Sequence, residues 1–428
     1  MQKELEFDYA SPREEPLPVM KSLAEQLAAF REFGTSTQVV ETPAKTFRGQ
    51  SLRVATYVNE FWTSRQRAAN RLHEVSYRAC FKPQLPRFFI ERLTRLGDLS
   101  YHPFMGRGTT LLEAALLGRV PCGCDISPLS RVLIAPRLRP PTLPEIIGRL
   151  QKLNYTTAHE IPEELLVFYH PETLKEICSL RHYLIERQNS GEGDFIDDWI
   201  RMVAVNRLTG HSPGFFSVYT LPPNQAVSIK RQTRINEKRG QQPPRRHIAE
   251  TIAKKSRQLL VDCDAAVRRA LSATCGSVLL LTRHCGHTPE IATASVSLVV
   301  TSPPFLDVVD YAGDNWLRCW FVGVDPASVK LTVPNKLDAW QAAMTEVFHE
   351  LQRILKPGGH VAFEVGEIHA GKTRLEEAVV PCGIAGGLEP VLILINEQQF
   401  TKTANCWGVD NNAKGTNTNR IVVFRKPE

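Results

Sequence analysis

The 428-residue sequence has no apolar run long enough to cross a bilayer, which excludes a helical membrane protein. Its opening residues, MQKELEFDYASPREEPLP, contain no apolar stretch of the kind that directs secretion, so the chain is expected to stay in the cytoplasm. Ten cysteines are present, but none has the paired Cys-x-x-Cys spacing of a structural zinc site, and their scatter suggests no disulfide framework. Cys122-Gly-Cys124 and His284-Cys285-Gly-His287 are read as ordinary core or loop residues, and no metal is expected. There is no internal repeat. Acidic residues are nearly missing from one segment. Between Arg201 and Arg257 lie 12 of the 52 basic residues but only two of the 45 acidic ones, Glu237 and Glu250. The rest of the chain is slightly acidic, so the net charge of +7 resides in that segment. A solvated surface intersperses both signs; one-sided charge argues for a polyanionic partner, most simply nucleic acid.

The composition, 43% hydrophobic and 23% charged, is that of a folded protein with ample core. Residues 1–50 are polar and punctuated by proline, with one amphipathic stretch, Met20 to Phe33, and read as partly ordered; 1–64 are taken as an N-terminal arm. Arg65 to Leu72 reads as a basic helical segment, and Phe88 to Leu96 as a helix ended by Gly97. Then comes a β-loop-α-β unit: a strand at Leu99 to His102, a glycine turn, a helix from Thr109 to Leu117, and a strand from Val120 ending at Asp125. The rhythm breaks over 141–270, which carries helical patterns at Leu174 to Arg187 and Asp197 to Leu208. It resumes over 271–428, with strands at Ser277 to Leu281 and Val296 to Thr301 and a helix from Ala339 to Leu355. That helix is ended by Lys356-Pro-Gly-Gly359, and strands follow at His360 to Val365, Val391 to Asn396 and Arg420 to Arg425. The expected fold is therefore α/β, a doubly wound and mostly parallel sheet, carrying an inserted, basic, mainly helical or loop region.

Two motifs carry chemistry. In His102-Pro-Phe-Met-Gly-Arg-Gly-Thr-Thr110, glycines 106 and 108 let the backbone pass close to a ligand lying across the carboxyl ends of the strands. Asp125 ends the next strand, where an acid hydrogen-bonds a ribose hydroxyl. No phosphate-binding Lys-Ser/Thr follows the glycines, so an adenosine-bearing ligand without a demanding phosphate grip fits better than a nucleoside triphosphate. In Val299-Val-Thr-Ser-Pro-Pro-Phe305, two prolines fix φ and remove two backbone donors. The result is a stiff turn offering the Ser302 hydroxyl and the Pro303 carbonyl as acceptors. An exocyclic base amine is a poor nucleophile because its lone pair is delocalised into the ring. Acceptors on its hydrogens favour a pyramidal nitrogen that can attack a sulfonium methyl, and Phe305 could stack on a base flipped from the duplex.

Together these motifs resemble the S-adenosylmethionine-dependent family that methylates cytosine N4 or adenine N6 in DNA, over roughly residues 75–130 and 277–367. The resemblance implies a class I, Rossmann-like fold in which 65–140 is the cofactor-binding half and 271–428 the catalytic half of the methyltransferase domain. It places Phe104, Gly106, Gly108 and Thr109 around S-adenosyl-L-methionine, and Asp125 on its ribose. Lys82 and Pro83 fall in a segment similar to one beside the cofactor's methionine part, and His102 stands where the family usually has an aspartate near the cofactor ammonium. Ser302, Pro303, Pro304 and Phe305 would be catalytic, and serine before Pro-Pro points to cytosine N4. Thr282-Arg-His-Cys-Gly-His287 lacks the acid expected near the adenine. Residues 141–270 correspond to a target-recognition region for double-stranded DNA, with Arg207, Lys230, Arg231, Arg234 and Asn236 as candidate contacts to phosphates and base edges. A partner restriction endonuclease is an associated expectation. The alternatives are an N6-adenine methyltransferase and a catalytically decayed DNA-binding relative, the latter favoured by His102.

Overall fold

The computed structural model describes residues 22–63, 69–77, 80–156, 161–220, 226–304, 311–329, 336–365, 367–368, 373–397 and 418–428. Its frame is a nine-stranded sheet. In chain order the strands are β1 (Gln38–Lys45), β2 (Ser51–Asn59), β3 (Leu99–His102), β4 (Val120–Asp125) and β5 (Leu279–Thr282), then β6 (Val296–Thr301), β7 (Leu355–Val365), β8 (Glu389–Glu397) and β9 (Thr418–Arg425). Their spatial order is β1-β2-β8-β9-β7-β6-β3-β4-β5. The run β7-β6-β3-β4-β5 is parallel throughout, and β9 is antiparallel to both neighbours. The chain winds outward from β3 through β4 to β5, then restarts at β6 beside β3 and winds the other way. This is the doubly wound, Rossmann-like arrangement, and its switch point lies between β3 and β6.

The first helices are α1 (Leu23–Ala28), α2 (Gln84–Leu93), α3 (Thr109–Leu116) and α4 (Pro128–Leu138). The insertion is helical: α5 (Leu143–Lys152), α6 (Pro171–Asn189), α7 (Phe195–Val205), α8 (Ile229–Arg239), α9 (Ile248–Leu259) and α10 (Ala265–Cys275). The remaining helices are α11 (Tyr311–Val322), α12 (Leu337–Ile354) and α13 (Leu375–Ala385). Capping boxes start α5 (Thr142 with Glu145) and α7 (Asp194 with Asp197), satisfying amide donors that have no partner inside the helix. One sheet face packs on α2, through Phe88 and Phe89 against Leu298, Val300 and Ala362. The other packs on α12 and α13, where Trp340 and Phe348 meet Phe363 and Phe424. A third core joins Leu111 of α3, Leu133 of α4, Trp199 and Ile200 of α7, Ile252 of α9 and Leu317 of α11. The inserted helices therefore bury their apolar faces against helices of the sheet domain.

Three expectations are corrected. Residues 38–59, read as part of an arm, form a hairpin that pairs with β8 and widens the sheet. The turn after β2 then sends Phe61 and Trp62 onto Phe88, with ring centres 5.8 and 5.5 Å away, while Leu23, Leu27 and Phe30 of the amphipathic stretch dock in the same core. Arg71–His73 is a 3-10 turn rather than part of a basic helix; 64–68 lie outside the described residues. Lys356-Pro-Gly-Gly359 does not precede β7 but lies within it, taken up by a register jump between Val296↔Leu355 and Leu298↔His360. Among the described residues, no helix is long and apolar enough to cross a membrane.

Candidate active site

Both motifs leave the carboxyl ends of neighbouring strands. β3 and β6 pair directly, Ser100 with Leu298 and Tyr101 with Val299, although some 200 residues separate them in sequence. The Thr110 hydroxyl donates to the Val300 carbonyl at 3.1 Å, tying the start of α3 to β6. The glycine turn and the Ser-Pro-Pro turn thus open side by side at the switch point, where α/β sheets bind ligands.

The glycine turn is held from both sides. Gly106 (φ 47°) and Gly108 (φ 73°) sit in the left-handed region, and a Cβ on Gly108 would lie 2.4 Å from Ile134 Cγ1. The Gly106 amide donates to Asp125 Oδ2 at 2.8 Å and the Ser127 amide to Oδ1 at 2.9 Å, so the acid at the end of β4 already shapes the turn. Burial pushes the Asp125 carboxyl above its ordinary value, and these backbone donors pull it back. From outside, Arg107 donates to the carbonyls of Val75 (3.1 Å) and Phe81 (3.3 Å) and to the Thr109 hydroxyl (3.2 Å). Arg137, buried and pushed down to about 9 by that burial, donates to the carbonyls of Leu72 (3.2 Å) and Arg107. These two guanidiniums tie Leu72, Val75 and Phe81 to the turn, a role that sequence reasoning missed because an arginine reads as surface charge until its burial is seen.

Phe81 caps His102, with ring centres 5.5 Å apart and planes 23° from parallel. His102 is 4% exposed and, among the described residues, neither ring nitrogen has a partner; burial holds its pKa down to about 3, so the ring is neutral. Of the other residues expected here, Pro83 is buried at the start of α2, Lys82 is exposed beside it, Thr109 is buried, and Phe104 packs against the α12 side of the sheet. Arg283, after β5, donates its amide to the Asp125 carbonyl at 2.9 Å and pairs with Glu290. Cys122, Cys124 and Cys285 are buried in the core under α12.

In the second motif Pro303 is buried, while Ser302 and Pro304 are half-buried. The Pro304 carbonyl accepts from Trp340 Nε1 at 3.2 Å, which pins the turn to α12. Phe305 lies outside the described residues, as does most of the polar stretch Thr401 to Arg420. Beyond the loop, the insertion is tied in. The Ala226 amide donates to the Asp314 carbonyl at 3.0 Å, and Trp316 Nε1 to the Val227 carbonyl at 3.3 Å. These bonds set the start of α8 beside α11, the helix that follows the Ser-Pro-Pro turn.

All five basic residues of α8, Lys230, Arg231, Arg234, Lys238 and Arg239, are exposed. Two expected nucleic-acid contacts turn inward instead. Asn236 donates to the Val167 carbonyl at 2.7 Å and accepts from Gln232 and Gln241, both at 2.8 Å. Arg207 lies 4.0 Å from the centre of the Phe215 ring and donates to the Asn206 carbonyl at 2.8 Å, and burial lowers it to about 10. Asn236 braces α8 against the turn at Val167, and Arg207 holds the loop after α7.

Residues 16–131 match the DNA methylase family N6_N4_Mtase. Over that stretch the chain is similar to the exocyclic-amino DNA methyltransferase family. It is similar to the type II methyltransferase M.MjaII of Methanocaldococcus jannaschii, 38% identical over 63 residues, 15% of this chain. The chain spans only 12% of that relative's length. Among solved structures, it aligns with a protein described as a DNA modification methylase from Thermus thermophilus, complexed with S-adenosyl-L-methionine. That alignment has 21% identity and a TM-score of 0.21, covering 32% of this chain and 50% of that one. TrmN from Thermus thermophilus aligns over 83% of this chain and 51% of its own, at 12% identity and a TM-score of 0.32.

Proposed function

We propose that the protein is an S-adenosylmethionine-dependent DNA methyltransferase acting on an exocyclic base amine, with cytosine N4 as the target. The observation that carries this reading is the adjacency of the two turns at the β3–β6 switch point, one suited to an adenosine-bearing ligand and one offering acceptors to an amine. The residues present fit the cofactor. Asp125 is a carboxylate at the end of β4, of the chemistry that accepts from ribose hydroxyls, the glycine turn leaves its backbone open to close approach, and among the described residues neither buried ring nitrogen of His102 has a partner. When bound, S-adenosylmethionine supplies an electrophilic methyl on a sulfonium sulfur.

The chain's own part is to orient and exclude. The Ser302 hydroxyl and the Pro303 carbonyl would accept the two amine hydrogens, steering the nitrogen lone pair toward the methyl. A flipped base would reach them past α8, whose exposed cations suit phosphates on either side of the site. Serine before Pro-Pro favours cytosine over adenine, by likeness to the family pattern. A restriction endonuclease as functional partner belongs to the same reading.

The test is base-resolution sequencing of DNA from cells expressing the protein, with a method that distinguishes N4-methylcytosine from N6-methyladenine. N4-methylcytosine at one sequence context is the expected result; N6-methyladenine would move the target, and no modified base would sink the reading. Ser302→Ala should lower turnover about 100-fold with cofactor affinity unchanged, as for other oriented transition-state hydrogen bonds. Unaltered turnover would remove Ser302 from the chemistry.

A further inference from the structure

A buried glutamate stands next to the Ser-Pro-Pro turn. Glu364 is the penultimate residue of β7 and 8% exposed. The parallel ladder pairs Val300 with Ala362 and Thr301 with Phe363, so Ser302 and Glu364 are the next residues along their two strands. Neighbouring strands lie about 4.8 Å apart. Side chains alternate along a strand. Val300 and Ala362 both face the α2 side, so Glu364 shares that side, and Ser302 falls there if the extended backbone continues. At the same edge, Asn419 of β9 donates to Glu364 Oε1 at 2.6 Å. Asn419 pairs across the ladder with Asn396 of β8, whose side-chain carbonyl accepts from the amides of Phe61 (2.7 Å) and Trp62 (3.1 Å). A polar row therefore runs along the carboxyl edge from the Ser-Pro-Pro turn to the N-terminal hairpin.

The ionisable neighbours along that edge are few. His102 on β3 is neutral. Arg420, next on β9, is committed to Glu376. On α2, Arg87 pairs with Glu91 and Arg92 with Glu32, and Lys82 just before it is exposed. No cation of the described residues offsets the burial of Glu364, and its acid is pushed up to about 7, with only Asn419 pulling it down. Near neutral pH it is thus both a competent base and a competent acid.

We propose that Glu364 is a positioning residue that acts through Ser302, orienting its hydroxyl and accepting the proton released by the target amine. This rests on the methyltransferase reading. As the amine nitrogen bonds to the methyl carbon, the carbon–sulfur bond breaks and its electron pair stays on sulfur as a neutral thioether. The nitrogen must then shed one proton. That proton passes to Ser302 Oγ as the Ser302 proton passes to the Glu364 carboxylate, and the resulting acid releases it to water. The hydroxyl hydrogen directed at Glu364 leaves the oxygen lone pair facing the amine, which is the orientation the acceptor role requires.

The test has two arms. Single-turnover methyl transfer would be followed from pH 5.5 to 9 with tritiated S-adenosylmethionine and a long, unmodified, mixed-sequence DNA duplex. Wild type should show a limb rising with pH near 7. Glu364→Gln, nearly isosteric, should be slower by one to two decades, with that limb gone and both binding constants kept. An unchanged limb in Glu364→Gln overturns the inference, and so does a wild-type profile flat through 7. The second arm needs no activity. Carbon-13 titration of labelled glutamate carboxyls should reveal one raised group that is missing from Glu364→Gln. Ser302→Ala should move it up by about one pH unit, toward the value near 7 that burial and Asn419 alone set, because the proposed donor to its charged form is lost. No response to Ser302→Ala overturns the coupling even if the protein methylates DNA. If nothing is methylated but the coupling is seen, the methyltransferase reading fails and the proton path with it, while the paired side chains stand.

Discussion

His102 occupies the position where the family usually has an aspartate, and its surroundings set what restoring the carboxylate would do. The imidazole is 4% exposed, stacked on Phe81 and, among the described residues, unpartnered at both nitrogens, and burial alone accounts for its low pKa. In His102→Asp the carboxylate would enter this site without a counter-ion. It escapes the full desolvation cost by taking a proton. Protonating an ordinary carboxyl at pH 7 costs about 1.4 kcal/mol for each of roughly three pH units, so the loss of stability is capped at roughly 4 kcal/mol. If the cofactor ammonium docks here, it supplies the missing charge. A charge-assisted hydrogen bond contributes on the order of 1.5–3 kcal/mol, which is one to two decades in Kd. The expected outcome is a lower melting temperature without cofactor, S-adenosylmethionine binding tighter by one to two decades, and partial recovery of Tm when cofactor is added. Calorimetric titration alongside thermal melts, with and without cofactor, measures all three. Weaker binding by the aspartate variant at unchanged Tm would refute the reasoning. His102 would then be fitted to its ligand as a neutral ring, and the decayed-enzyme alternative would lose its support.

The same histidine should make the fold sensitive to acid. Unfolded, it protonates near 6.5, whereas folded it resists to about 3, so its contribution is intact above 6.5 and falls by about 1.4 kcal/mol per pH unit below it. Denaturant melts of His102→Leu between pH 6 and 4 should lose stability less steeply by about that amount, and an equal slope would count against the buried neutral ring. Reversing Lys230, Arg231 and Arg234 to glutamate should leave Tm alone, because all three are exposed. It should also weaken DNA binding and flatten its salt dependence by about one unit of log–log slope per lost phosphate contact. Wild-type affinity and slope in that variant would show that α8 is not the DNA-facing surface.

The central β-turn-α-β unit was legible because local sequence determines it. Glycines 106 and 108 adopt backbone conformations that other residues resist, and Asp125 both ends a strand and bonds the turn. The doubly wound, mostly parallel character of the sheet followed from alternation of strand and helix; its strand order did not. What stayed hidden depends on contacts between residues distant in sequence. β1 is largely exposed, so it lacks the alternation that marks a half-buried strand, and it is a strand only because β2 pairs with it and β2 with β8. A cue did exist in β2, where Val54, Thr56 and Val58 recur at every second residue. Charge located the basic segment, but it could not separate Lys230 on the surface from Arg207 over an aromatic ring. Glu364 drew no attention because nothing in its own strand sets it beside Ser302; the β6–β7 register does.

The shared core of the inserted helices limits how such a protein can change its sequence preference. Leu111 and Leu133 belong to helices of the sheet domain, yet they bury against Trp199 and Ile200 in one cluster. The Ser76 amide, in the segment tied to the glycine turn, donates to Asn206 of the insertion at 2.8 Å. Exchanging the whole region for that of a relative would strip apolar cover from α3 and α4 and loosen the cofactor turn at the same time. It is not a cassette. If α8 faces DNA as proposed, new specificity is open instead through point changes on its solvent face, whose cations lie outside that core, so recognition can drift residue by residue while the ligand cradle stays fixed.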